Sequence, residues 1–259
     1  MNKINALFQN NADRKLLSLY FCAGCPTLEG TGDVIKAMER HGIDMIEVGV
    51  PFSDPMADGP VIQGAATMAL KNGMTLRKLF SQLKAIKDEV QLPLVLMGYL
   101  NVMMQYGFEN FFKSCVDSGV SGCIIPDLPF KDYMEEVKPI ADKYDIRVIM
   151  LITPETSEER IRFIDENTDG FIYMVSSASI TGAQKSFDDA KQEYFQRINA
   201  MNLNNPRMIG FGISNKQTLE SSQQNAAGAI IGSKFVTLLN EADGDADKAL
   251  SNLFDALSK

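Results

Sequence analysis

Eight short apolar runs separated by amphipathic segments constrain this chain more than any other feature. The runs are Leu17–Ala23, Asp44–Val50, Leu92–Gly98, Gly122–Pro126, Arg147–Ile152, Gly170–Val175, Arg207–Phe211 and Ala227–Ile231. Each has the length of a buried strand. Between them apolar residues recur at helical spacing, as with Leu76, Leu79, Phe80, Leu83, Ile86 and Val90 in Thr75–Val90. Phe108, Phe111, Phe112, Cys115, Val116 and Val120 make a second stripe. Thr156-Ser-Glu-Glu159 and Ser214-Asn-Lys-Gln217 read as capping boxes that open helices. Further helices are expected over Asp33–Arg40, Tyr133–Tyr144, Phe187–Met201 and from about Ala246 onward.

Strand–helix alternation through 259 residues, with no linker, repeat or low-complexity segment, predicts an α/β fold. The expected form is a single (β/α)8 TIM barrel spanning residues 1–259 as one domain. Lys3–Asn10 forms an extra N-terminal helix suited to plug the barrel floor, and Val61–Lys71 adds a helix after strand two. An open doubly wound sheet is the alternative. Its first strand would lead into a G-x-G-x-x-G phosphate loop, and Leu19–Gly30 does not read that way.

Several function classes are disfavoured at once. No apolar stretch reaches the roughly 18 residues of a membrane span, and the N-terminus lacks a secretory h-region. A net charge of −8 argues against a nucleic-acid partner. Any anionic substrate is then held by local dipoles. Reduced thiols in the cytoplasm are expected for Cys22, Cys25, Cys115 and Cys123. Cys22-Ala-Gly-Cys25 has C-x-x-C spacing but no second pair or histidines to complete a zinc site, so small residues at a strand end is the better reading. The lone histidine, His41, falls at a helix C-terminus, where a structural or solvent role is expected.

The densest chemical signal is Glu47-Val-Gly-Val-Pro-Phe-Ser-Asp-Pro-Met-Ala-Asp58-Gly-Pro. Period-2 alternation puts Met45, Glu47 and Gly49 on one face and Ile46, Val48 and Val50 on the other. A carboxylate on an apolar strand is costly unless it has a partner or a task. Burial raises its pKa, which suits proton transfer in both directions. An internal salt bridge is the competing reading for Glu47, and a simple Asp-Gly turn is the competing reading for Asp58. On its polar loop Asp58 is expected to stay ionised and to stabilise positive charge.

Barrel active sites form at the carboxyl ends of the strands. Those ends offer Glu47, Asp54, Asp58, Tyr99, Asp127 and Tyr173, with no histidine, no in-strand lysine and no Cys–His pair. Lys234 follows strand eight and is assigned to a helix start. Tyr99 and Tyr173 stand between packing and site, and Asp54 and Asp127 between turn formers and partner contacts. Gly212 and Gly232-Ser233 follow the last two strands, where free N–H groups suit an anion; plain αL turns and caps are the competing reading. Together these predict general acid–base chemistry on a phosphorylated metabolite, without metal or cofactor.

The chain resembles the tryptophan synthase α-subunit family. The resemblance runs its whole length, through the Glu47–Gln63 block, Pro126-Asp-Leu-Pro129, Tyr173 followed by Thr181-Gly-Ala183, Gly210-Phe-Gly-Ile-Ser214 and Gly232-Ser233. It implies retro-aldol cleavage of indole-3-glycerol phosphate to indole and glyceraldehyde 3-phosphate. Glu47 would be the general acid–base, and Asp58 would balance charge on the indole nitrogen. Tyr20, Tyr99, Tyr173, Thr181 and Phe211 would contact substrate, with Thr181 meeting Asp58 on lid closure. Gly182, Gly212, Gly232 and Ser233 would hold the phosphate, and Ser177–Lys191 would be the lid. The resemblance also implies an αββα complex, with pyridoxal phosphate only on the β subunit, reached through loops around Asp54, Asn101 and Asp127–Phe130. The family pattern differs at Ser177, where bacterial members often carry arginine, and at Cys25, where many carry Asp or Tyr. A free-standing lyase that releases indole is the alternative, and a catalytically inactive regulatory subunit is a third reading that intact Glu47 and Asp58 oppose.

Overall fold

The computed structural model describes residues 1–176, 189–210 and 212–258. Its strands are β1 (Leu16–Cys22), β2 (Met45–Gly49), β3 (Leu94–Met97), β4 (Val120–Ile124), β5 (Arg147–Ile152), β6 (Ile172–Val175), β7 (Arg207–Gly210) and β8 (Gly228–Ile231). All pair in parallel in chain order, and β8 closes on β1. This is the expected (β/α)8 barrel.

Alternation along β2 falls as its pattern requires. Met45 belongs to the barrel-interior cluster with Leu16, Val95, Ile124, Ile149, Met208 and Ile230. Ile46 and Val48 face outward into the larger cluster shared with the helices. Outside, the helix Leu76–Ile86 buries Leu76, Leu79, Phe80, Leu83 and Ile86, and the Thr75 hydroxyl accepts the Lys78 N–H. A cap of this kind contributes about 1 kcal/mol. Truncating Leu83 to alanine would cost about 2–5 kcal/mol.

The helix Lys3–Asn10 seals the amino-terminal end of the barrel, as expected. Ile4 is fully buried among the interior residues, and Phe8 packs on Phe171 at 5.7 Å. Asn2 fixes the plug: its Nδ2 donates to the carbonyls of Ser121 and Asp145, and its Oδ1 accepts the Ile4 N–H. The floor is therefore closed, and the interior opens only toward the carboxyl ends of the strands.

Local departures have physical causes. β4 begins two residues earlier than predicted, because Gly122 lies within the strand; a Cβ there would stand 2.6 Å from Ile4 Cδ1. The helix Glu158–Asn167 is capped by Ser157, and Lys216–Asn225 by Asn215 with Thr218 reciprocating. Both caps sit one residue past the predicted Thr156 and Ser214. Tyr133–Val137 is a π-helical turn between short α-helical pieces. The helix Leu100–Tyr106 was not expected; Asp127 caps it across space by accepting the Leu100 N–H at 2.8 Å. Asp189–Lys191, placed in the lid, open the helix Asp189–Ala200. The rest of the lid, 177–188, lies outside the described residues.

Candidate active site

At the carboxyl ends of the strands a cavity, about 520 Å³ with its open mouth included, is lined by Tyr20, Glu47, Asp58, Tyr173, Gly212, Gly232 and Ser233. Ile62, Met97, Ile213 and Ile230 supply apolar wall, and Ser214 and Lys234 complete the lining. Thus β1, β2, β6 and β8 each send an inward side chain to one place, and the turns after β7 and β8 form its far end.

Glu47 is 1% exposed, and neither carboxylate oxygen has a hydrogen-bond partner among the described residues. Burial pushes its pKa up to about 8, because desolvation disfavours the charged form. Among the described residues no salt bridge holds Glu47, and burial favours its neutral form. Tyr20 is its register partner on β1. A Cβ on Gly49 would lie 2.2 Å from the Tyr20 hydroxyl oxygen. The space that Gly49 leaves is therefore filled by Tyr20. Gly210 plays the same part for Tyr173, whose hydroxyl oxygen lies 2.1 Å from where its Cβ would be.

Asp58 is held more firmly than its loop composition suggested. It is buried, Tyr99 donates to its Oδ2 at 3.0 Å, and Gln63 Nε2 donates to its carbonyl at 2.8 Å. Burial raises its pKa and the Tyr99 bond draws it back down. The expectation of an ordinary, loosely solvated carboxylate is corrected to that extent. Tyr99 itself lines an adjoining recess, not the main cavity, and stacks on Phe52 at 5.4 Å. It reaches the cavity through Asp58.

The cavity's other end has features that suit an anion. Gly232 is the N-cap of the helix Ser233–Glu241 and provides no side-chain acceptor, so the first-turn N–H groups lack an intrahelical partner. Gly212 sits at φ +78°, a left-handed conformation open to glycine. A Cβ on Gly232 would meet nothing nearer than 3.7 Å. Thr181, Gly182 and Phe211 lie outside the described residues.

Sequence reasoning missed Ile62, Met97, Ile230 and Lys234. Ile230 was legible from alternation along β8, and Lys234 directly follows the glycine-rich turn. Other candidates are elsewhere. His41 contacts Asp247 at 2.9 Å and stacks on Phe254, as a structural role requires. Asp54 accepts from the Ser53 hydroxyl on the exposed rim. The four cysteines are free and buried. Among the described residues no group of three His, Cys, Asp or Glu is placed to hold a metal, and no helix is long and apolar enough to cross a membrane.

A neutral buried acid facing an ionisable partner, with an anion cradle across the cavity, defines a barrel enzyme that moves protons on a phosphorylated substrate. Residues 7–258 match the family model for the tryptophan synthase alpha chain. The tryptophan synthase alpha chain of Phocaeicola vulgatus is 70% identical over 99% of each chain. Among solved structures, tryptophan synthase subunit alpha of Legionella pneumophila superposes with a TM-score of 0.88 at 31% identity, covering 99% of this chain and 97% of that one. A tryptophan synthase complex of Pyrococcus furiosus gives 0.83 at 32%, over 93% and 97%. The chain belongs to the tryptophan synthase alpha chain family. It is a carbon–carbon lyase of tryptophan biosynthesis that cleaves indole-3-glycerol phosphate to indole and D-glyceraldehyde 3-phosphate.

Proposed function

We propose that Glu47 and Asp58 divide the proton and charge work of this cleavage. The observation that carries the reading is the buried carboxyl of Glu47, without a hydrogen-bond partner among the described residues, whose pKa burial pushes up to about 8. Glu47 gives its proton to the indole ring carbon that bears the side chain. The ring becomes a cation with charge on its nitrogen, which the Asp58 carboxylate stabilises. The carbon–carbon bond then breaks, and its electron pair restores the aromatic ring. The adjacent hydroxyl loses its proton to Glu47 and becomes the aldehyde, so the acid is regenerated. Tyr20 and Tyr173, with Thr181 and Phe211, bound the indole side, and Gly182, Gly212, Gly232 and Ser233 receive the phosphate. Tyr99 acts on the substrate side through Asp58. The chain itself carries no cofactor in this scheme.

The chain works as one barrel domain with a β subunit, as α and β in an αββα complex in the cytoplasm, and pyridoxal phosphate belongs to the β subunit. Support comes from the likeness to the Pyrococcus furiosus complex. It also comes from Met56, 84% exposed, and Met104, 56% exposed, on the loop and helix that follow β2 and β3 beside Asp54 and Asn101. The loop Asp127–Phe130 lies on the same rim.

The test is indole release from indole-3-glycerol phosphate by the purified chain, with and without a β subunit. Weak activity raised strongly by the partner supports the reading. High activity indifferent to a partner would make it a free-standing lyase. Glu47→Gln should lose about 10²–10⁴-fold in rate while still binding glycerol 3-phosphate; wild-type turnover by that variant would remove Glu47 from the proton path.

A further inference from the structure

One group in the cavity has no part in the acid–base scheme. Lys234 is the second residue of the helix Ser233–Glu241, half-buried, and lines the same cavity as Glu47, Gly212, Gly232 and Ser233. Among the described residues it makes no ion pair or hydrogen bond. Among the described residues that line the cavity it is the one cation.

By itself a helix start is a poor place for an ammonium group. A helix start already carries partial positive charge, and the usual occupants of a first turn are Asp and Glu. This first turn contains no acidic residue, and its N-cap is a glycine without a side-chain acceptor. Free N–H groups and a lysine therefore add their positive charge in one corner. An anion arriving there satisfies both. A second observation points to a ligand in the same cavity: Glu47, buried and unpartnered at both oxygens, also opens into it. The chain's net charge of −8 makes a local cation more useful, since the overall field opposes a dianionic substrate.

We propose that Lys234 is a phosphate-binding residue whose ammonium pairs with the phosphate dianion of the substrate, so that the cradle recognises charge as well as shape. The inference rests on the reading of this cavity as the site of a phosphorylated substrate. It replaces the expectation of a neutral cradle served by backbone dipoles alone. An ammonium is a point charge on a flexible stem, so it adds attraction while backbone N–H groups set the phosphate's position.

The experiment titrates glycerol 3-phosphate calorimetrically into the full-length wild type, K234M and K234R. Indole release from indole-3-glycerol phosphate is measured on the same preparations with a β subunit present. K234M should bind glycerol 3-phosphate about tenfold more weakly, with the loss appearing in KM more than in kcat, and K234R should recover most of it. Raising salt from about 50 to about 300 mM should weaken wild-type binding more than that of K234M. Ligand-free K234M should melt no lower than wild type, because it removes a cation from a positive helix end. Equal affinity for wild type and K234M would overturn the proposal and leave the cleavage reading intact. A lower melting point for ligand-free K234M would overturn it too, assigning Lys234 to structure. A wild type that binds glycerol 3-phosphate through Lys234 yet releases no indole would overturn the cleavage reading and leave Lys234 standing. A wild type that binds no glycerol 3-phosphate would overturn the proposal, and indole release on the same preparation would decide the cleavage reading.

Discussion

The Tyr99 hydroxyl holds two consecutive residues of the loop after β2: it donates to Asp58 Oδ2 at 3.0 Å and accepts the Ala57 N–H at 2.9 Å. One phenol thus fixes both the carboxylate and the backbone that carries it. Tyr99→Phe keeps the ring and its stacking on Phe52 but leaves the Ala57 N–H without this acceptor. The expected cost is about 1–2 kcal/mol of stability in urea unfolding. Because the Tyr99 bond lowers the Asp58 pKa against the burial that raises it, its loss moves that pKa further up. The acid limb of the rate profile should shift to higher pH in Tyr99→Phe. A profile that superposes on wild type would mean that Asp58 does not act as an ionised group in the rate-limiting step.

Glu47 gives a pH dependence of opposite use. Its carboxyl is raised from 4.5 to about 8 by burial. Below pH 4.5 both the folded and unfolded chains hold the proton there. As pH rises from 4.5 toward 8 the unfolded chain ionises and the folded chain does not, so stability is lost through that window and levels off above it. The difference between wild type and Glu47→Gln should span roughly 4–5 kcal/mol across it. Above the Asp58 limb, activity that needs the protonated acid should be level up to about pH 8 and then fall tenfold per unit. Urea midpoints between pH 5 and 9 for both proteins check the first statement, and initial rates check the second. Parallel stability curves for the two proteins would show that Glu47 titrates as an ordinary carboxyl.

Glu47 was legible from β2 alone, because a period of two leaves no choice about which face it shares with Met45 and Gly49. The two capping boxes were found but misplaced by one residue, since Thr156 beside Ser157 and Ser214 beside Asn215 offer nearly equal caps locally. The helix Leu100–Tyr106 was not legible: it is two turns long, and its cap comes from Asp127, 27 positions away. The firmness of Asp58 was hidden for the same reason, since Tyr99 lies on the far side of two helices and a strand. Lys234 was visible in the sequence but looked like an ordinary helix residue. Only the convergence of β1, β2 and the last two turns puts it on the wall of the cavity that holds Glu47.

The two glycines proposed to receive the phosphate should respond differently to substitution. Gly212 sits at φ +78°, so Gly212→Ala imposes left-handed strain of about 1–2 kcal/mol as well as crowding the anion. A Cβ on Gly232 finds ordinary contacts of 3.7 Å and beyond, and its φ is −109°. Gly232→Val should therefore fold with near wild-type stability and raise KM, while Gly212→Ala should lose on both counts. Thermal melts beside KM values separate the two. A Gly232→Val protein with unchanged KM would remove that turn from the phosphate site.

Gly210 and Tyr173 make the sharpest steric pair in the cavity. A Cβ at position 210 would lie 2.1 Å from the Tyr173 hydroxyl oxygen and 2.5 Å from two of its ring atoms, and Tyr173 is buried with little room to withdraw. Gly210→Ala should cost about 1–3 kcal/mol through overpacking and lower kcat/KM by displacing the ring from the substrate. Tyr173→Phe cannot relieve it, because the ring atoms clash as well as the hydroxyl. Tyr173→Ala vacates the space. In a double-mutant cycle, Gly210→Ala with Tyr173→Ala should therefore destabilise by clearly less than the two single changes added together. Additive costs would mean that β7 accepts the methyl by moving its own backbone, and that Gly210 does not set the position of Tyr173.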